Sequence, residues 1–442
     1  MAGGAADRNL AICHVTKVLI IGAGFAGIVA ARALAPSDEV ILLERSGTVG
    51  GTSKSFCVEG FTFDCGIHGL YAAGGDILDL LGGGLRGAHH TISVRVADLW
   101  QGLIAPRPLQ SHLGWLPSEV AAECLAGLTE ARMRPAQTPP RDYETWSRVN
   151  LGDALSDKFM LPYARKFWTV KPAELACDWM GERARVPTIA EAVRGSAARV
   201  DQAVHYAKTI SYPDTGGFGA YATALAQELP IRLNAEVVGI DHLARTLTLS
   251  SGELLQYDCL ISTVPMPHLI AMLREVPAEI RKASTKLRAT SLALVSLGLR
   301  GESRWPYHWS YSFDPDCPFA RLSSPSLWSA SNAPNGCWSL QAEVYFQGRR
   351  PSADCLMGEV EHWMRRTGAI DANDRLVASD VRYLSVANVI HDLDHAEAVG
   401  AVRDFLRGQE ITSCGRYGRW DYSLVPEVIR DAAVAASSAT VY

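Results

Sequence analysis

The sequence predicts an α/β protein in which two domains interleave along the chain. Apolar runs at residues 18–21 and 40–43 flank a glycine-rich turn and an alanine-rich helical run. This order is typical of a β-α-β unit whose two strands are parallel. A chain of 442 residues is also long enough to bury the cores of two domains. Residues 1–16, before the first strand, are expected to form a loose leader.

The turn between the first strand and the first helix has the spacing G-x-G-x-x-G. Gly22 permits a tight turn, Gly24 lets a phosphate approach the backbone, and Gly27 lets the helix pack closely on the strand. The helix N-terminus then offers free N–H groups and a positive dipole to phosphates. The β-α-β context favours a dinucleotide site over a turn that only serves packing. The predicted phosphate-binding residues are Gly22, Gly24, Phe25, Ala26 and Gly27.

Glu44 ends the second strand about 20 residues after the glycines, where dinucleotide-binding folds place a carboxylate for a ribose hydroxyl. A second glycine pair follows within seven residues. This succession resembles FAD-binding flavoproteins such as amine oxidases, protoporphyrinogen oxidases, phytoene desaturases and UDP-galactopyranose mutases. The resemblance implies FAD as the cofactor and a glutathione-reductase-like FAD-binding Rossmann domain. The additional FAD-binding residues predicted here are Glu44, Arg45, Gly50, Gly51, Thr52 and Ser53.

Composition limits the class of protein and its partners. The net charge is −5 without a basic block, which argues against nucleic acid as a partner. The ten cysteines include no C-x-x-C pair, so reduced thiols in the cytoplasm are expected. No apolar run approaches the roughly 20 residues of a membrane span. The expected partner is a small-molecule substrate, and the sequence is compatible with a homodimer.

Several other chemistries lack support in the sequence. No H-E-x-x-H array indicates a metal site, and no metal is predicted. No G-x-S-x-G elbow indicates a hydrolase. No second G-x-G-x-x-G indicates a built-in NAD(P)H site.

The remaining elements divide between the FAD-binding domain and a mixed helical and antiparallel-sheet substrate domain. Helices are predicted at residues 151–168, 189–207 and 216–229, strands at 231–240, 259–263, 291–297 and 338–346, and a hairpin at 245–257. Residues 409–436 predict a strand, a glycine turn and a last helix. The predicted bounds are 17–84, 211–284 and 406–442 for the FAD-binding domain, 85–210 for the helical part of the substrate domain and 285–405 for its sheet part.

Four further motifs occur in the order found in UDP-galactopyranose mutases and protoporphyrinogen-oxidase-like proteins, and the resemblance covers nearly the whole chain. They are F-D-C-G-I-H at residues 63–68, P-Y-A-R-K-F-W at 162–168, Y-P-D-T-G-G at 212–217 and G-R-Y-G-R-W-D-Y at 415–422. The resemblance implies that residues 66–68 lie beside the isoalloxazine and that residues 237–238 contact adenine through their backbone. The FAD-binding residues it adds are Gly66, Ile67, His68, Val237, Val238, Gly415 and Arg416.

Three residues are predicted to be catalytic. His68 could hydrogen-bond flavin or substrate, with a pKa tunable near neutrality, or could be an ordinary buried histidine. Arg416 could stabilise negative charge on reduced flavin or bind phosphate, or could form a surface ion pair. Tyr422 could hydrogen-bond substrate or simply pack. Lys166 and Trp168 could form part of the substrate wall or could simply pack, and Arg183 and Arg185 could line an anion site or lie on a solvated face.

Departures from the mutase pattern decide between two chemistries. Leu424 lies where the mutases carry an aspartate, and Ile189 lies near the place of their second diphosphate-binding arginine. The sequence therefore predicts, first, an FAD-dependent oxidoreductase that moves a hydride between a small, moderately polar substrate and flavin N5. The alternative is a redox-neutral, UDP-galactopyranose mutase-like isomerase that uses reduced FAD. A third alternative is a flavin-binding protein without catalysis.

Overall fold

The computed structural model describes residues 16–439 except 35, 37, 72–73, 135–137, 182–183 and 200–207. The predicted leader before residue 16 and the predicted site residue Arg183 therefore lie outside the described residues. The α-helices within these ranges are α1 Phe25–Ala33, α2 Gly75–Gly84, α3 Ser118–Met133, α4 Tyr143–Leu151, α5 Asp153–Leu155, α6 Leu161–Trp168, α7 Ile189–Ala197, α8 Gly219–Leu225, α9 Met266–Met272, α10 Ala278–Thr285, α11 Ala353–Arg366, α12 His395–Gly408, α13 Gly415–Gly418 and α14 Val425–Ala439.

The strands of the described ranges form two large sheets and three small ones. They are β1 Lys17–Ile21, β2 Glu39–Leu43, β3 Ser55–Val58, β4 Phe61–Asp64, β5 His89–Ser93, β6 Val96–Trp100, β7 Leu103–Pro106, β8 Thr209–Pro213, β9 Ile231–Arg232, β10 Val237–Asp241, β11 Thr246–Leu249, β12 Leu254–Gln256, β13 Cys259–Ser262, β14 Ser291–Arg300, β15 Trp309–Ser312, β16 Arg321–Ser323, β17 Cys337–Phe346, β18 Arg375–Leu384 and β19 Ile411–Ser413.

A five-stranded parallel sheet with the order β19-β13-β1-β2-β9 organises the cofactor end of the molecule. The central strand β1 is almost wholly apolar and buried on both faces, as parallel strands covered by helices require. Helices α1, α8 and α14 pack on one face. The three-stranded sheet β10-β11-β12 and helices α9 and α12 cover the other. The predicted β-α-β unit and hairpin are thereby confirmed.

A seven-stranded sheet with the order β18-β14-β17-β16-β15-β6-β7 forms the second domain. All its pairings are antiparallel except that of β15 with β6. Strands β6 and β7 come from the stretch predicted as helical, so residues 85–210 contribute to this sheet as well as to helices α3 to α7. The α5 and α6 segments are joined by a π-helical turn at Ser156–Met160, so the helical run is continuous over residues 153–168, whereas Gly152, with a φ of 81°, separates it from Leu151 at the end of α4.

The prediction of one strand over residues 231–240 is wrong. The chain forms β9, turns at Asn234 with a positive φ of 55°, and resumes as β10. The turn is fixed because the N–H of Asn234 donates to Ser46 O at 3.1 Å and the N–H of Ala235 donates to Glu44 O at 2.8 Å. This detour brings β10 beside the end of β2. The helix predicted over 189–207 ends at Ala197, and residues 200–207 lie outside the described ranges.

His308, just before β15, gives the fold a defined pH dependence. The side chain is 6% exposed, and its Nδ1 accepts the backbone N–H of Arg95 at 3.0 Å. Burial, with the Arg95 charge, lowers the pKa of His308 from 6.5 to about 4. Between the pKa of 6.5 in the unfolded chain and about 4 in the folded chain, only the unfolded chain binds the proton. The free energy of unfolding is therefore expected to fall as pH falls, by about 3 kcal/mol between neutral pH and pH 4.

The His308→Gln variant is expected to lack this component while keeping an acceptor for the Arg95 N–H. Urea unfolding at pH 7 and pH 4.5 measures the difference. If the free energy of unfolding falls equally in wild type and variant between pH 7 and pH 4.5, the assignment to His308 is wrong.

Candidate active site

A cavity of about 1080 Å³ extends from the carboxyl ends of β1 and β2 to the face of the seven-stranded sheet. Ile21 and Leu43 line one end, while Tyr311, Arg321 and Tyr345 line the other. Ligand sites of open α/β sheets form at the carboxyl ends of their parallel strands and at domain junctions. The cavity is therefore the candidate active site.

The glycine turn builds the end of the cavity next to β1. Gly22 has a φ of +100°, and a Cβ at Gly27 would lie 1.9 Å from Gly22 O. Both positions therefore require glycine for backbone packing. A Cβ at Gly24 would meet nothing nearer than Gly51 Cα, at 3.9 Å. Gly24 begins α1 without a side-chain cap, which leaves the first N–H groups of that helix for a ligand phosphate.

The second glycine pair is tied to the first. The Gly50 N–H donates to Ala23 O at 2.8 Å, and a Cβ on Gly51 would lie 3.3 Å from Gly24 Cα. Gly50 and Gly51 both have positive φ, 104° and 57°. The two turns thus form one cradle of backbone without side chains.

Glu44 is a buried carboxylate held by its own neighbourhood. Its Oε2 accepts the Ala23 N–H at 2.9 Å, and its Oε1 accepts the Ser46 N–H at 2.9 Å and the Ser46 hydroxyl at 2.7 Å. These bonds orient the carboxylate at the end of β2, where it lines the cavity. The other predicted residues that line this part of the cavity are Phe25, Ala26, Arg45, Thr52, Ser53, Val237 and Val238.

His68 lies in the middle of the cavity wall. Its ring stacks on Phe218 with centroids 5.3 Å apart, and its Nδ1 is 3.1 Å from Gly66 O. A carbonyl can only accept, so Nδ1 carries the proton and Nε2 is an acceptor. Burial lowers the pKa of His68, which keeps the ring neutral. Asp64 accepts from the Tyr212 hydroxyl and from the N–H of Phe218, the residue on which the His68 ring stacks.

Arg416 and Tyr422 meet in the same cavity, as the sequence predicted. The Arg416 Nη1 donates to Ser423 O and its Nη2 donates to Asn388 Oδ1, both at 3.0 Å. Its Cζ lies 4.3 Å from the centroid of the Tyr422 ring. Within the described ranges its Nε is buried without a hydrogen-bond partner. Gly415, with a φ of +75°, lets this turn approach Ala26, since a Cβ there would lie 2.5 Å from Ala26 Cβ.

Aromatic rings enclose the space in front of Arg416. Tyr422 contacts Trp168 and Trp179, with centroids 5.5 and 5.4 Å apart. Both tryptophans line the cavity, as do Arg185 and Leu424. Lys166 and Ile189 are not among the lining residues. The Lys166 ammonium instead donates to Asp314 O at 2.7 Å.

Sequence reasoning missed a buried polar cluster on the seven-stranded sheet. Glu343 accepts the Ile67 N–H at 2.8 Å, the Arg321 Nε at 2.5 Å and the Tyr345 hydroxyl at 2.7 Å. Arg321 also donates to the Tyr345 hydroxyl at 2.9 Å. The cluster therefore links the strand that carries Glu343 to the backbone beside His68. The alternation Gln341, Glu343, Tyr345 in an apolar strand was the signal that could have found it.

The residues present fit FAD. The uncapped helix start and the side-chain-free cradle suit a pyrophosphate, and Glu44 suits an adenosine ribose. The buried Arg416 Nε without a partner lies in the part of the cavity that remains for an isoalloxazine. The described residues contain no group of three His, Cys, Asp or Glu side chains that could hold a metal. No helix among them is long and apolar enough to cross a membrane.

This fold and this cavity define an FAD-dependent flavoprotein enzyme. The chain belongs to the family of flavin-containing amine oxidoreductases, whose model matches residues 25–336. A shorter stretch of 52 residues is 42% identical to an inactive all-trans-retinol 13,14-reductase of Danio rerio. That stretch covers 12% of this chain and 9% of the reductase.

Solved structures match over nearly the whole chain. The crystal structure of a reduced UDP-galactopyranose mutase is 26% identical with a TM-score of 0.91, covering 96% of this chain and 95% of that one. A putative protoporphyrinogen oxidase from Exiguobacterium sp. 255-15 is 17% identical with a TM-score of 0.74, covering 96% of this chain and 98% of that one. Both likenesses confirm the predicted fold class, and the family match together with the likeness to the mutase confirms the predicted superfamily.

Proposed function

We propose that this protein is a reduced-FAD-dependent isomerase that interconverts ring forms of a nucleoside diphosphate sugar without net redox change. The observation that carries the proposal is the likeness to a reduced UDP-galactopyranose mutase over 96% of the chain, at a TM-score of 0.91. The putative oxidase gives a TM-score of 0.74. The predicted residues His68, Arg416 and Tyr422 line the same cavity.

The chain's own residues suit a sugar next to a reduced flavin. Reduced FAD, when bound, supplies a nucleophilic nitrogen for exchange at the anomeric carbon. Arg416, fixed by Ser423 and Asn388, is a cation that stabilises negative charge in front of it. Neutral His68 offers Nε2 as an acceptor for a hydroxyl. The rings of Trp168, Trp179 and Tyr422 exclude water from the sugar and pack on its apolar face.

One observation favours a second candidate, the hydride-transferring oxidoreductase. Leu424, Val425 and Pro426 line the cavity. In the mutase pattern an aspartate and a methionine follow soon after the tyrosine, and Leu424 lies at the position of that aspartate. An apolar wall at this point suits a less polar substrate. The family description, flavin-containing amine oxidoreductase, is compatible with such a reaction.

Anaerobic assays separate the two candidates. Holoenzyme reduced with dithionite is mixed with UDP-galactopyranose, and products are followed by chromatography while flavin absorbance is recorded. Many turnovers to the furanose form by reduced enzyme, none by oxidised enzyme and no net flavin oxidation are expected. Inactivity with this and other nucleoside diphosphate sugars, together with stoichiometric flavin reduction by an amine or alcohol, would overturn the proposal in favour of the oxidoreductase.

A further inference from the structure

Arg107 lines the cavity and takes no part in the roles given above. It follows β7, and its guanidinium lies 3.5 Å from the centroid of the Tyr311 ring. Its Nη1 donates to Asp98 Oδ1 at 2.6 Å. Among the described residues, Asp98 is the only hydrogen-bond acceptor of this side chain. The other guanidinium nitrogens are therefore left for a ligand.

Asp98 makes Arg107 a rigid cation. The Asp98 side chain is fully buried, and its Oδ2 accepts the Leu109 N–H at 2.8 Å. The carboxylate therefore fixes both the guanidinium and the backbone that follows it. Arg107 itself keeps 23% of its side chain exposed. An arginine held from behind by a buried acid and open in front is pre-organised to bind an anion.

Arg321 is a second cation that lines the same cavity. Its side chain is 18% exposed, and Glu343, fully buried, holds it from behind. Arg321 lies opposite Tyr311 in the register of β15 with β16, and the Arg107 guanidinium lies over the ring of the same tyrosine, so both cations border Tyr311. The Tyr163 ring packs on that of Tyr311 with centroids 5.7 Å apart.

We propose that Arg107 is a substrate-binding residue that, together with Arg321, holds the diphosphate of the nucleoside diphosphate sugar. The inference rests on the proposed function. Two separate guanidinium groups match the two phosphoryl groups of a diphosphate better than a single carboxylate. Arg107 thus supplies the second cation that the sequence lacks near Ile189, which does not line the cavity.

The surroundings of the two arginines extend this assignment along the cavity. Tyr143 and Trp146 line it next to Arg107 and stack with centroids 5.8 Å apart. The Arg107 charge also acts on Tyr143, whose pKa burial raises to about 12. Flat aromatic faces suit a nucleobase. The base therefore lies at this pair, the diphosphate at the arginines, and the sugar before Arg416 and Tyr422.

Binding to the reduced holoenzyme tests the role of Arg107. The probes are UDP, uridine and inorganic pyrophosphate, titrated calorimetrically into wild type, R107K and the double variant D98N/R107M. The double variant removes the cation together with its buried counterion, so no unpaired charge remains. R107K keeps the ion pair with Asp98 but replaces the planar guanidinium, which can donate two parallel hydrogen bonds, by an ammonium group. The matched control is R274M, because Arg274 forms an ion pair with Asp241 outside the cavity.

The double variant is expected to bind UDP and pyrophosphate about 10- to 100-fold more weakly, with unchanged uridine binding. R107K should fall between it and wild type, and FAD content should be unchanged in all. UDP affinity equal to wild type in both variants would overturn the inference and leave the proposed function intact. If wild type binds pyrophosphate in a way that depends on Arg107 but does not bind UDP, the proposed function is overturned and the anion site at Arg107 is retained. A wild type that binds neither would overturn both.

Discussion

The Gly27→Ala variant is expected to lose FAD and to be less stable by about 3 kcal/mol or more. A Cβ at this position would lie 1.9 Å from Gly22 O and 3.2 Å from Leu42 Cδ1. The first contact is with backbone, so no side-chain rotation relieves it. Helix α1 would have to move away from β1 and β2, and the phosphate cradle would move with it. Urea unfolding and FAD content per purified chain measure the two effects.

Gly400→Ala is the matched control. Gly400 lies inside α12, where an added Cβ would meet no atom within 4 Å. Alanine forms helix more readily than glycine, so this variant should be more stable by about 0.5–1 kcal/mol with FAD retained. Full FAD content and wild-type stability in Gly27→Ala would contradict the packing role assigned to Gly27.

The cofactor half could be predicted from sequence because its determinants are local. An apolar strand, a glycine turn and an alanine-rich helix follow each other within about 20 residues, and the observed register pairs residues 17–21 with 39–43. His68, Arg416 and Tyr422 were predicted from motifs, and the structure brings them into one cavity although they lie far apart along the chain. Their roles remain proposals.

The polar cluster of the substrate half could not be predicted in the same way. Arg321 lies directly opposite Glu343 in the register of β16 with β17, and Asp98 in β6 lies opposite Tyr311 in β15. The pairing of β6 with β15 joins strands from distant parts of the chain, and tertiary packing sets its register. β16 and β17 are consecutive strands, but the long connection between them, described over residues 324–336, contains no tight turn that would fix their register from sequence. Arg107 likewise depends on Asp98. The sequence shows such residues as isolated charges, without the partners that make them part of a site.

The Arg416→Met variant is expected to lower turnover about 100-fold while FAD binding is retained. Arg416 donates to Ser423 O through Nη1 and to Asn388 Oδ1 through Nη2. Its position therefore depends on the two separate nitrogen donors of the guanidinium. Arg416→Lys keeps the charge but cannot make both bonds, and should recover only part of the activity. The matched control is Arg419→Met, because Arg419 lies on the same turn, pairs with Asp431 and does not line the cavity.

The flavin midpoint potential distinguishes an electrostatic role of Arg416 from a structural one. A cation that favours the negatively charged reduced flavin makes reduction easier, so its removal should lower the potential by about 30 mV or more, equal to about 1.4 kcal/mol for two electrons. Arg416→Lys should shift the potential less than Arg416→Met, and Arg419→Met should leave it unchanged. A structural role predicts that lysine and methionine disturb the site equally. Equal potentials in wild type and Arg416→Met, with activity lost, would place the function of Arg416 in holding Tyr422 and Asn388 and not in its charge.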